Sequence, residues 1–152
     1  MKIIPGTGEV PVIYTAHHAS HDFGEFESRV ALSTEQKIRF SDYGTDLTVP
    51  ANGLVSLIAE HSRALGDLNR DPTDPGMFQD QDYAKINRND IWKLGKGLNE
   101  KEKELCLKKY YWSFHNEIIN QLKIGRNLLL LLPGIILHTI LLGQIVLATQ
   151  LS

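Results

Sequence analysis

The cluster best suited to chemistry is His17-His18-Ala19-Ser20-His21-Asp22, which directly follows the short β-rich run VPVIYTA at residues 10–16. In open α/β sheets, ligands sit beyond the carboxyl ends of strands. His18 and His21, three residues apart, could face one site if the chain turns there, and Asp42 or Asp46 in the loop-like FSDYGTD could add a carboxylate. Such donors suit zinc hydrolysis, in which the metal lowers the pKa of a bound water and polarises the scissile carbonyl. The same histidines also suit a solvent-exposed loop, because short His motifs are permissive.

A second constellation is Ser62-Arg63 followed by Asp67-Leu68-Asn69-Arg70. Guanidinium groups grip carboxylates through paired hydrogen bonds, so an Asn-Arg pair in an ordered loop suits a carboxylate-bearing substrate. Asp67 could hold Arg63 or Arg70 in place; the alternative is a surface salt-bridge loop of little energetic weight. Cys106 lies among leucines and reads as a small apolar residue. Trp92, Tyr110, Tyr111, Trp112 and Phe114 read as packing between a helix and a sheet, with His115 a packed or supporting histidine.

The elements that must position these groups form an α/β pattern. Residues 10–16 read as a buried strand. Residues 47–65 predict a helix, with Leu54, Leu57, Ile58 and His61 on one face and Pro50 in its first turn. Residues 67–76, with two prolines and repeated Asp, read as loop. A helix over 100–122 starts at Asn99, with Glu102 completing a capping box, and ends at Gly125. Residues 127–132 read as a second strand in the same sheet.

Taken in order, these segments resemble the N-formylglutamate amidohydrolase family. The resemblance rests on His18-Ala19-Ser20, on Phe40-Ser41-Asp42-Tyr43-Gly44-Thr45, and on Ser62-Arg63 with Asp67-Leu68-Asn69-Arg70. It extends through Ile91-Trp92, Gly97-Leu98 and Tyr110-Tyr111-Trp112-Ser113-Phe114-His115. It implies a mixed α/β sheet flanked by helices, related to zinc carboxypeptidases and aspartoacylases. It implies a zinc cofactor with His18 as ligand, joined by His21 or Asp42. Arg63 would polarise the scissile carbonyl, and Asn69 and Arg70 would hold the substrate carboxylate. The implied reaction is hydrolysis of N-formyl-L-glutamate to formate and glutamate, a step of histidine degradation, or of another small N-acyl amino acid.

The chain departs from that pattern at its end. Residues 1–127 read as a partial domain, incomplete at its C-terminal side, with no third zinc ligand or general base identified, which implies weak activity. Residues 128–151 carry no charged side chain. They suit either a single membrane-spanning helix or the product of a shifted reading frame. The rival to an enzyme is therefore a non-enzymatic, membrane-associated remnant or binding module. A net charge of -2 and the absence of a Lys/Arg block offer no footprint for nucleic acid. A single cysteine and an N-terminus unlike a signal peptide fit a reducing, cytoplasmic setting, or a membrane if the apolar run spans one.

Overall fold

A computed structural model describes residues 1–6, 13–48, 54–79, 90–129, 135–138 and 147–150. Its organising element is a three-stranded mixed sheet built from β1 (Lys2–Ile4), β2 (Ile13–Ala16) and β3 (Val55–Ile58). β3 lies in the middle, antiparallel to β1 and parallel to β2, with Ala16 beside Ile58. The parallel pair is connected through a 3-10 turn at Gly24–Arg29 and the short helix α1 (Thr34–Phe40). The Ser33 hydroxyl accepts from the Gln36 N–H while the Gln36 side chain accepts from the Ser33 N–H, which caps α1.

β3 replaces the helix expected over 47–65, and a 3-10 turn at Arg63–Leu65 follows it. Ser56, Leu57 and Ile58 are buried in succession, because a central strand is covered on both faces and needs no alternation. Over so few residues an apolar run does not distinguish a buried strand from a helix face. Pro50 lies outside the described residues.

The expected long helix is present and longer than expected. It comprises α2 (Glu100–Cys106), a π-helical stretch at Leu107–Trp112, and α3 (Ser113–Leu129). Asn99 and Glu102 form the reciprocal cap read from the sequence, at 3.0 and 2.9 Å. Gly125 does not end the helix, and residues 127–129 are helical rather than strand. Leucine is a strong helix former, and one interior glycine costs only about 1 kcal/mol. Residues 130–132 lie outside the described set. Among the described residues, the sheet partner of β2 is β3.

The helix packs on the sheet through Tyr111 and Phe114, against Ile13, Leu57, Leu68 and Met77. A second core beside it joins Phe23, Phe40, Leu65, Ile91, Trp92 and Cys106. Burial pushes the Cys106 thiol up to about 11, in keeping with an inert packing role. Trp112 departs from the expected packing set and is 47% exposed.

In the C-terminal run, β4 (Ile135–His138) and β5 (Leu147–Gln150) pair antiparallel. Among the described residues no helix is long and apolar enough to cross a membrane. This corrects the expectation of one spanning helix over 128–151, because strands at both places cannot belong to a single continuous helix.

Candidate functional site

The site forms beyond the carboxyl ends of the parallel pair. Where β2 stops, the chain turns through His17 and His18, and an isolated parallel bridge between Ser20 and Ser62 keeps the two exits side by side. The Asp42 N–H donates to the His18 carbonyl at 2.9 Å, which draws the loop after α1 onto the strand end. The His18 side chain is buried between two carboxylates. Its Nδ1 lies 3.0 Å from Asp42 Oδ2, and its Nε2 lies 2.7 Å from Asp67 Oδ1.

Asp67 is the hub of the site and is 1% exposed. Its Oδ1 faces His18 and accepts from the Asn69 N–H at 3.0 Å. Its Oδ2 accepts from Arg63 Nη2 at 3.0 Å, Gln79 Nε2 at 3.1 Å and Arg70 Nε at 3.2 Å. Burial pushes the Asp67 carboxyl up, but the hydrogen bond and charge of His18, the Asn69 N–H and Arg63 hold it well below the usual carboxylate range. A buried carboxylate is tolerated only when paired and hydrogen-bonded in this way. Burial also pushes the adjacent His17 ring down to about 4, and His18 and His115 add to that effect.

A cavity of about 380 Å³ opens over this hub, lined by His18, Arg63, Asp67, Asn69, Arg70, Asp71 and Asp74. Five of the residues singled out in the sequence, His18, Arg63, Asp67, Asn69 and Arg70, thus share one cavity. Arg70 also reaches Asp74, with Nη1 3.3 Å from both carboxylate oxygens. Arg63 lies over the Phe40 ring at 5.8 Å, and its Nε is buried without a hydrogen-bond partner among the described residues.

Of the metal-ligand candidates, His18 and Asp42 are in contact, 3.0 Å apart. Asp42 touches His18 but does not line the cavity, and its side chain is 55% exposed. His21 lies apart from the cavity, its ring centroid 6.0 Å from that of Tyr43. Its Nδ1 is buried without a hydrogen-bond partner among the described residues. His18 has carboxylates against both ring nitrogens. Among the described residues no group of three or more His, Cys, Asp or Glu side chains is arranged to hold a metal ion. His18, His21 and Asp42 do not form such a group among the described residues.

Sequence reasoning placed Asp67 beside an arginine but missed its contacts with His18 and Gln79. The signal was present in part, since arginines stand four residues before and three residues after one aspartate. The pairing with His18 crosses 49 residues and had no local signal.

Residues 10–129 match the sequence pattern of N-formylglutamate amidohydrolase. The chain belongs to that family. The described fold also resembles the crystal structure of a gene product from Agrobacterium tumefaciens, with a TM-score of 0.66 at 16% identity. The match covers 84% of this chain and 51% of that one, so the chain spans about half the length of this solved relative. No curated protein sequence matches the chain. For a member of the N-formylglutamate amidohydrolase family, the matched region takes in every cavity-lining residue, from His18 to Asp74.

Proposed function

We propose that the chain carries the substrate-carboxylate side of an amidohydrolase acting on a small N-formyl or N-acyl amino acid, with N-formyl-L-glutamate as the leading substrate. The observation that carries this reading is the convergence of Arg63, Asn69 and Arg70 on one cavity around the buried Asp67. The fold's kinship to zinc carboxypeptidases belongs to the same proposal.

The geometry supports a role for each residue. Asp67 is fully engaged by its donors and its carboxyl is held low, so it is a holder and a poor general base. Through Oδ2 it fixes the facing edges of both guanidinium groups. Arg70 then meets a substrate carboxylate with the Asn69 amide beside it. Arg63, the less exposed of the two arginines, takes the charge that develops on the carbonyl oxygen during attack on the amide. Zinc belongs to the same proposal, although among the described residues no group of three or more His, Cys, Asp or Glu side chains is arranged to hold it.

The test is formate release from N-formyl-L-glutamate by the purified chain, with added zinc and then with a chelator. Turnover that falls about 10²-fold in Arg63→Ala is expected for a residue that stabilises the developing oxyanion. Equal turnover in the two proteins would remove Arg63 from the chemistry, and turnover indifferent to the chelator would remove zinc.

A further inference from the structure

The segment that presents Asn69 and Arg70 is held from the helix at two carbonyls. His115 Nε2 lies 3.1 Å from the Leu68 carbonyl, and the Tyr111 hydroxyl donates to the Arg70 carbonyl at 3.0 Å. These two acceptors flank Asn69 on either side. A carbonyl can only accept, so the proton on His115 must reside on Nε2. Tyr111 and His115 are four residues apart on one helix face, with ring centroids 4.3 Å apart. Tyr111 lies in the π-helical stretch at Leu107–Trp112, and His115 lies just beyond it. Cys106, just before that stretch, packs in one core and Tyr111 in the other. Such local widening recurs at functional sites.

The inner side of the same segment is tied to Asp67. The Asn69 N–H donates to its side chain, and the Arg70 N–H donates to its carbonyl at 3.1 Å. Leu68, between these ties, is 2% exposed and packs in the core with Tyr111 and Phe114. The strip is thus clamped from the sheet side by Asp67 and from the helix side by Tyr111 and His115.

We propose that Tyr111 and His115 are positioning residues that set the orientation of Asn69 and Arg70 toward the substrate carboxylate. This rests on the reading of those two residues as substrate-binding. The helix side of the clamp is removable without emptying the core, because Tyr111→Phe keeps the ring and loses only the donor. His115→Phe likewise loses its donor, whereas His115→Gln retains an N–H.

The experiment measures amide hydrogen exchange and the Kd for N-formyl-L-glutamate in the full chain and these three variants. In Tyr111→Phe and His115→Phe, exchange at the Asn69 and Arg70 amides is expected to quicken about tenfold, with the Val55–Ile58 amides unchanged. The Kd is expected to rise about fivefold, with His115→Gln returning toward the wild type. Unchanged exchange at Asn69 and Arg70 would overturn the proposal, as would equal acceleration across β3, which marks general destabilisation. Faster exchange with an unchanged Kd would overturn the positioning role as well. Failure of the wild-type chain to bind would count against the proposed function, while the exchange rates would still decide whether the helix holds the strip.

Discussion

His18 Nε2 stands 2.7 Å from Asp67 Oδ1, although the two residues are 49 positions apart and leave different strands of the sheet. This contact joins the β2 exit to the loop after β3 and places a buried carboxylate beneath two arginines. Asp67 belongs to the frame of the site as much as to its chemistry.

Replacing Asp67 with Asn is therefore expected to destabilise the fold. The amide keeps the shape, but it leaves His18, Arg63 and Arg70 facing a group that no longer compensates them. Removing one partner of a buried ion pair costs about 3–5 kcal/mol. Arg63 and Arg70 are part-exposed and recover some hydration, so about 3 kcal/mol is expected from urea unfolding. A loss below about 1 kcal/mol, the level of an exposed pair, would show that Asp67 is not the hub.

Stability is expected to fall between pH 6.5 and pH 4. Burial pushes the His61 ring down to about 4, with the positive N-terminus adding to it. Above pH 6.5 this ring is neutral in both the folded and unfolded chain. As the pH drops, the unfolded chain takes up a proton that the folded one refuses, so folding loses up to about 3 kcal/mol. Below pH 4 the folded ring is protonated too, and the loss from this residue levels off. His17, also pushed to about 4, contributes in the same direction. Asp67 opposes neither trend, because its carboxyl stays ionised throughout this window. Urea midpoints at pH 7 and pH 4.5 should converge in His61→Phe relative to the wild type. An identical pH dependence in both proteins would contradict the assignment.

Asn99→Ala is expected to cost about 1 kcal/mol, because it removes the acceptor for the Glu102 N–H at the start of α2. Asn99→Asp keeps an acceptor and should stay within a few tenths of the wild type. The helix content by circular dichroism and the thermal midpoint would report both; an undisturbed Asn99→Ala would mean that tertiary packing alone sets this helix start.

The sequence made some of this legible and hid the rest for identifiable reasons. β2 was readable because a β-rich run with turn residues before it ends at a polar cluster. The cap at Asn99 was readable because capping is a local exchange of two hydrogen bonds. β3 was read as a helix because Leu54, Leu57, Ile58 and His61 match helical spacing, while the strand's burial on both faces removes the alternation that would betray it. The extension of the long helix past Gly125 was hidden by a glycine that resembles a terminator. In the site, Arg63, Asn69 and Arg70 were legible as a short local block. Contacts made across the fold, such as Tyr111 to Arg70 and His18 to Asp67, left no periodic trace.

The central claim is that Arg70, beside Asn69, receives the substrate's carboxylate in the cavity above Asp67. The most direct measurement is a calorimetric titration of N-formyl-L-glutamate into the wild-type chain and into Arg70→Ala, at pH 7 and low salt. Saturable binding by the wild type is expected, weakened at least about tenfold in Arg70→Ala, the scale of one lost charge-assisted hydrogen bond. Equal affinity in the two proteins, or no binding by a wild-type chain that is demonstrably folded, would contradict the claim.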